Sequence, residues 1–310
     1  MKLLRHAREL DRGPRKASLA IGVFDGVHLG HQQVIRQAVA DARQHEGLAV
    51  VVTFDAHPNT IVAPQRIPPL LQTNPQKLRA IATLGVDATL LLHFDHALSQ
   101  RPAEEFIRSL ARDLGPLASL CVGGDFTFGH QRGGNVALLN KLGDELGFTV
   151  HGLASVALNN EPVSSTRIRE AVRHGDFDTA GQMLGRTFSL AGEIVRGDAR
   201  GRELGFPTAN LDVTGLVLPP NGVYAAHATV AGRTHRAAVN IGLRPTLASP
   251  APRLMVEAHL LDFSGDLYGQ EMELTFVENL RDEQRFANLD ELKQQIASDT
   301  ARAREIFARL

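Results

Sequence analysis

The stretch at residues 22–33, G-V-F-D-G-V-H-L-G-H-Q-Q, constrains the fold of this chain more than any other. The apolar run Leu19, Ala20 and Ile21 before it has the continuity of a buried parallel strand. After it, Val34, Ile35, Ala38, Val39 and Ala42 fall on one face of a helix. The glycines, Gly22 and Gly30 among them, therefore belong to a tight strand-to-helix turn, where free backbone N–H groups can face a ligand.

His28 and His31 flank Gly30 at the mouth of that helix, and their spacing puts both imidazoles on one face of its first turn. Two imidazoles at a helix N-terminus favour an anion, and the phosphates of a nucleotide fit best. The bland alternative is a capped helix start with polar side chains in water. Metal ligation by the pair is a third reading, but no cysteine and no H-E-x-x-H motif accompany it. Neither G-x-G-x-x-G nor a Walker loop occurs at this turn, so a dinucleotide fingerprint is excluded. Adenylyl transfer suits the residues that remain, because donors at the turn can stabilise charge while pyrophosphate leaves.

The same alternation continues. Residues 48–54, 88–94, 117–122 and 149–156 read as further strands, with amphipathic helices near 75–84, 102–114 and 135–146. This predicts a parallel, Rossmann-like sheet covered on both faces, with ligands beyond the carboxyl ends of its strands. Three polar clusters fall at such ends: T-F-D-A-H-P at 53–58, G-G-D-F-T-F-G at 123–129 and V-S-S-T-R-I-R-E at 163–170. Each could be a plain polar turn or helix cap. The second, with Asp125, Phe126 and Phe128, also suits a ring-stacking pocket. The third, with Ser165, Thr166, Arg167 and Arg169, could hold a polyphosphate.

Near residue 184 the pattern changes to short β-prone runs at 186–195, 223–230, 234–241, 255–263 and 271–277. A turn at Ala231, Gly232 and Arg233 marks a hairpin, and one amphipathic helix closes the chain through Leu292, Ile296, Ile306 and Phe307. A small antiparallel barrel is expected. The division is thus 1–183, an α/β nucleotidyltransferase-like domain, and 184–310, an all-β domain. In the second, G-D-A-R-G-R-E-L-G-F-P-T-A-N offers Gly197, Arg200 and Gly201 to phosphates and the oxygens of Thr208 and Asn210 to a hard cation. A loop leading into a P-T-A-N turn is the alternative. Glu257 sits mid-strand, facing away from the side that Val256 and Ala258 share. Such a carboxylate is either solvent-facing or a base for phosphoryl transfer.

Together these stretches resemble the bacterial bifunctional riboflavin kinase/FAD synthetase family. The resemblance runs from G-V-F-D-G-V-H-L-G-H through G-G-D-F-T-F-G and S-S-T-R-I-R to G-R-E-L-G-F-P-T-A-N-L, N-I-G-L-R-P-T and E-A-H-L-L-D-F. It implies two reactions. The C-terminal domain would phosphorylate riboflavin with ATP to FMN, with Glu257 as base and Thr208 and Asn210 positioning Mg²⁺. The N-terminal domain would transfer AMP from ATP to FMN, giving FAD and pyrophosphate. The resemblance places His28 and His31 at the transferring phosphate, with Gly22, Phe24 and Gly30 in their turn. It gives Ser165, Thr166, Arg167 and Arg169 to the second phosphate motif, and Asp125, Phe126 and Phe128 to a pocket near nucleotide and flavin. Val23, Ala56 and Gly124 depart from the family pattern without removing a phosphate-binding group.

Two competing readings are a flavin-binding regulator without turnover and an enzyme with one domain reduced to scaffold. Binding alone does not require His28, His31, Thr208, Asn210 and Glu257 together. A formal net charge of −1 gives no case for a nucleic-acid partner. One cysteine, Cys121, no signal-peptide pattern and no apolar run of membrane length lead to the expectation of a cytoplasmic protein, monomeric or weakly homo-oligomeric, acting on ATP, riboflavin and FMN.

Overall fold

The computed structural model describes residues 1–197, 201, 204–244 and 253–309. They form two compact units, one from 1–167 with 183–185, the other from 168–182 with 186–310.

The first unit is built on six parallel strands: β1 (Lys2–Leu4), β2 (Ala17–Ile21), β3 (Leu48–Phe54), β4 (Ala88–Leu92), β5 (Leu117–Gly123) and β6 (Thr149–Leu153), in the order β1-β4-β3-β2-β5-β6. Strand alternation feeds two cores. Leu19, Ile21, Val50, Val52, Leu120 and Val122 face one side of the sheet. Ala20, Ala49, Val51 and Cys121 face the other. Helix α1 (Leu29–Gln44) covers the second face through Val34, Ile35, Ala38 and Val39, with Ile81 of α3 (Asn74–Ala82) beside it; the short α2 (Asn59–Val62) precedes α3. After the single turn α4 (His96–Ser99), α5 (Ala103–Leu114) and α6 (Val136–Leu146) cover the first face. Helix starts are chemically marked: Thr73 and Gln76 form a capping box on α3, and Asn135 accepts from the Leu138 N–H at 3.0 Å on α6.

Strand order reverses on either side of β2, so the crevice beyond the carboxyl ends of β2 and β5 is the natural ligand site. The glycine turn after β2 and the 123–129 segment after β5 both start there. A two-stranded ribbon, β7 (Ala157–Leu158) with β8 (Glu161–Pro162), leads into α7 (Ser165–Arg173).

In the second unit, β9 (Ser189–Val195), β10 (Ala209–Asp212), β11 (Gly222–Val230), β12 (Arg233–Arg244), β13 (Arg253–Leu260) and β14 (Glu271–Asp282) close into an antiparallel barrel. The β11–β12 hairpin turns on Ala231 and Gly232, both at positive φ (48° and 75°), the conformation a two-residue turn needs. One correction concerns β10: the P-T-A-N stretch enters a barrel strand, and Asn210 pairs with both neighbours instead of sitting in a turn. Periodicity could not show this, because a strand of four residues carries too little pattern. Helix α9 (Leu289–Arg309) packs Ala303, Ile306 and Phe307 on Val223, Ala225 and Ala238 of the barrel wall. The Asp299 carboxylate fixes it by taking two bonds from the Arg281 Nε, each 3.0 Å.

A helix the strand–helix pattern did not announce, α8 (Phe177–Leu184), also serves the barrel. Phe177 stacks on Phe276 at 5.0 Å between centroids and lies 5.9 Å from Phe188. Phe177→Ala should destabilise the barrel by about 3 kcal/mol, at the low end for losing a packed phenyl because this ring is only half-buried. Calorimetry would show one of two transitions lowered; an unchanged trace would mean that the stack adds nothing.

Candidate active sites

In the first unit the turn after β2 is strained into shape. Phe24, Gly26 and Val27 all lie at positive φ (52°, 85° and 41°), and a β-branched residue there is a genuine outlier. The turn is tied down from several directions. Thr53 donates its hydroxyl to the Val23 carbonyl at 3.0 Å, and both Asp25 carboxylate oxygens accept the Leu71 N–H, at 3.0 and 3.2 Å. Phe24 is core, 2% exposed, with its ring edge-on to His31 at 5.3 Å. Both glycines singled out in the sequence are closely packed: a Cβ on Gly22 would meet the Phe24 ring at 2.8 Å and force a shift, and one on Gly30 would press on the His28 ring at 3.2 Å.

His28 and His31 are brought together. Their rings stack with centroids 3.6 Å apart and planes 20° from parallel. His28 is the N-cap of α1, and its Nδ1 accepts the His31 N–H at 3.4 Å. With Nδ1 accepting, the neutral His28 ring carries its proton on Nε2, directed away from the cap. Burial, then the neighbouring His28, then Lys77 hold the His31 imidazole well below its usual pKa, so it is neutral at pH 7. Its Nδ1 is buried without a hydrogen-bond partner. A neutral His31 can still donate its ring N–H to a phosphate.

A cavity of about 390 Å³ that includes Arg5 and Asp113 shares Leu98, Arg101 and Phe106 with one of about 780 Å³ that opens beside the turn. Ile21, Val23, Phe126 and Phe128 line the larger one, with Phe54 and Phe94 opposite. Phe126 stacks on Phe128 (5.3 Å, 15°), and Phe54 meets Phe94 edge-to-face (5.4 Å, 90°). Sequence reasoning found the first pair and missed the second, which it had absorbed into strand ends. Asp125 is exposed and does not line this cavity.

At the start of α7, the Ser165 hydroxyl donates to the Asp25 carbonyl at 2.9 Å, joining this motif to the glycine turn. Thr166 is exposed. Arg167 is engaged by the Glu161 and Pro162 carbonyls (3.0 and 2.9 Å) and the Glu161 carboxylate (2.8 Å). Arg169 is buried, 7% exposed.

The second unit holds a row of polar side chains on adjacent strands. Glu257 on β13 pairs in register with Asn210 on β10 and with Asn240 on β12, so the three point to the same side of the barrel wall. All three line a cavity of about 330 Å³ with Thr208, Gly201 and, from α9, Leu292 and Ile296. Asn240 opens the N-I-G-L-R-P-T stretch of the resemblance but was given no role; only barrel pairing brings it beside Glu257. Arg281, held by Asp299, and Phe286 complete the wall.

Gly197 and Gly201 lie against this row. A Cβ on Gly197 would strike the Asn210 amide, and one on Gly201 would meet the Phe206 carbonyl at 2.5 Å and Thr208 Oγ1 at 3.1 Å. Arg200 lies outside the described residues. Asn210 is 5% exposed, yet among the described residues its Oδ1 has no hydrogen-bond partner. A buried, unmatched carbonyl-type oxygen beside the Thr208 hydroxyl fits a hard divalent cation, which prefers such ligands.

Comparison with known proteins agrees with this two-part arrangement. A model of the FAD synthetase family matches residues 11–167, and one of the riboflavin kinase family matches 184–307. The protein named bifunctional riboflavin kinase/FMN adenylyltransferase in Escherichia coli K12 is 38% identical over 309 residues, covering 99% of this chain and 98% of the relative. Its namesake from Pseudomonas fluorescens is also 38% identical, over 308 residues, with the same coverage. A solved structure from Streptococcus pneumoniae, described as a macrolide-efflux protein, superposes with a TM-score of 0.78 at 28% identity, covering 97% of this chain and 98% of that one. No helix among the described residues is long and apolar enough to cross a membrane.

Proposed function

The chain belongs to the bifunctional riboflavin kinase/FMN adenylyltransferase family, and on that premise we propose how its residues divide the two reactions. ATP, riboflavin and FMN are the small-molecule substrates. The 184–310 segment is the kinase: the terminal ribityl hydroxyl of riboflavin attacks the γ-phosphorus of ATP, Glu257 takes its proton, the bond to the β-phosphate oxygen breaks, and ADP leaves. Gly197, Arg200 and Gly201 follow the ATP phosphates, and Thr208 and Asn210 hold Mg²⁺. A divalent ion held there offsets charge on the triphosphate.

Residues 1–183 are the adenylyltransferase. A phosphate oxygen of FMN attacks the α-phosphorus of a second ATP, the bond to the β-phosphate oxygen breaks, and pyrophosphate leaves. No protein nucleophile is required, so catalysis rests on positioning and on donors aimed at developing charge. His28 and His31 supply donors at the transferring phosphate, in a turn whose Gly22, Phe24 and Gly30 keep the backbone close. The phenyl walls at Phe126, Phe128, Phe54 and Phe94 take the flavin ring, with Asp125 at their margin. Ser165, Thr166 and Arg169 hold the remaining phosphates; Arg167 joins them when its Glu161 pair opens.

The observation that carries the kinase assignment is the Asn210–Glu257–Asn240 row in one cavity with the orphaned Asn210 oxygen. We further propose a monomer or weak homo-oligomer. The buried thiol Cys121 suits a reducing compartment, and we place the protein in the cytoplasm.

The metal assignment is tested by Asn210→Ala. This variant should need about tenfold more Mg²⁺, or worse, for half-maximal riboflavin phosphorylation, while FAD formation from supplied FMN keeps its wild-type Mg²⁺ dependence. FMN and FAD separated by chromatography give both readings. Identical Mg²⁺ curves for both reactions would remove Asn210 from the metal site.

A further inference from the structure

A lysine lies buried near the stacked imidazoles and takes no part in the assignments above. Lys77, on α3, is 7% exposed, and its Nζ donates to the Phe54 carbonyl at the end of β3 at 2.6 Å. An ammonium is retained in such a place only against compensating charge. The compensation comes from Asp25 in the glycine turn and Asp55 just beyond β3. Both carboxylates are themselves anchored by backbone donors, Asp25 by Leu71 and Asp55 by the Phe94 N–H at 3.1 Å, and Asp55 also meets His93 at 2.7 Å. On its other side Lys77 acts on His31, disfavouring protonation of that ring.

The consequence is electrostatic. A neutral His31 can donate a hydrogen bond but adds no net charge. The transfer nevertheless moves negative charge onto departing pyrophosphate. We propose that Lys77 is the positioning cation of the adenylyl-transfer site: held by the Phe54 carbonyl and by the negative charge of Asp25 and Asp55, it biases the mouth of α1 toward phosphate charge. This rests on the reading that His28 and His31 serve AMP transfer.

Burial pushes the Lys77 ammonium down to about 8, against the pull of Asp25 and Asp55. The charged form therefore exists below that pH and is lost as pH rises through it. The groups facing it are Asp25 from the β2–α1 turn, Asp55 after β3 and His31 on α1. Phosphomonoesters have lost their second proton by about pH 6, so the substrates do not titrate in this window.

The test follows FAD formation from FMN, ATP and Mg²⁺ in the full-length protein between pH 6 and 9.5. The wild-type rate should fall above about pH 8. Lys77→Arg, charged throughout, should extend the plateau. Lys77→Met should lose about 10- to 100-fold in kcat and show no limb near pH 8. Its riboflavin phosphorylation should match wild type. A flat wild-type profile would overturn the proposal without any variant having to fold. A limb that persists in Lys77→Met, or equal loss of both activities, would also overturn it. His31→Ala is run alongside: if it loses FAD formation and Lys77→Met does not, the lysine proposal alone fails. If both retain it, the assignment of this site to AMP transfer fails.

Discussion

Glu257→Gln should stop FMN accumulating from riboflavin while FAD still forms from supplied FMN. The substitution keeps side-chain size and hydrogen-bonding reach, so the β13 register with Asn210 and Asn240 has no reason to change. What it removes is the capacity to accept a proton from the attacking hydroxyl. A positioned general base contributes about 10²- to 10⁴-fold, and phosphoryl transfer adds no other protein-borne covalent step to mask the loss. His28 and His31, proposed for adenylyl transfer, lie in the other compact unit, so the second reaction is an internal control for folding. Riboflavin phosphorylation at the wild-type rate would make Glu257 a strand residue and move the proton to solvent or substrate.

That Glu257 could be singled out at all came from alternation: Val256 and Ala258 had to face one side, which put a carboxylate on the other. The helix mouth was readable for a similar reason, since glycines, a buried strand and one apolar helix face agree on a single geometry. The unread parts share a different cause. Lys77 sits in an amphipathic helix, where a lysine ordinarily reads as the solvated face; only the carboxyl end of β3 and two aspartates distant in sequence explain its burial. Asn240 acquires meaning through its pairing with Glu257 across β12 and β13, and Phe54 and Phe94 through the parallel neighbours β3 and β4. Asn210 was singled out as an oxygen ligand, but its strand was not, because β10 holds four residues with no period to detect. Local pattern announces a lone helix or strand well. It does not announce which side chains meet when sheets close.

The remaining large effect is expected at the stacked imidazoles. His28→Ala should reduce FAD formation by about 10²-fold or more, the scale of losing one transition-state donor, with FMN formation from riboflavin near wild type. The alanine variant mixes two losses, because His28 is also the N-cap of α1 and accepts the His31 N–H. Losing a cap costs about 0.5–2 kcal/mol of stability and frees His31 to leave its stacked position. His28→Asn separates the two. Asparagine is among the strongest N-caps, so it restores the acceptor for the first turn while lacking the outward Nε2 donor. If the imidazole acts on phosphate, His28→Asn should fold as well as wild type by thermal denaturation and still be about 10²-fold slow in FAD formation. If the ring serves only to start the helix, His28→Asn should recover the activity that His28→Ala loses. Recovery would reduce the H-x-G-H motif in this chain to a folding signal, and the donors for AMP transfer would then have to come from the backbone of the turn itself.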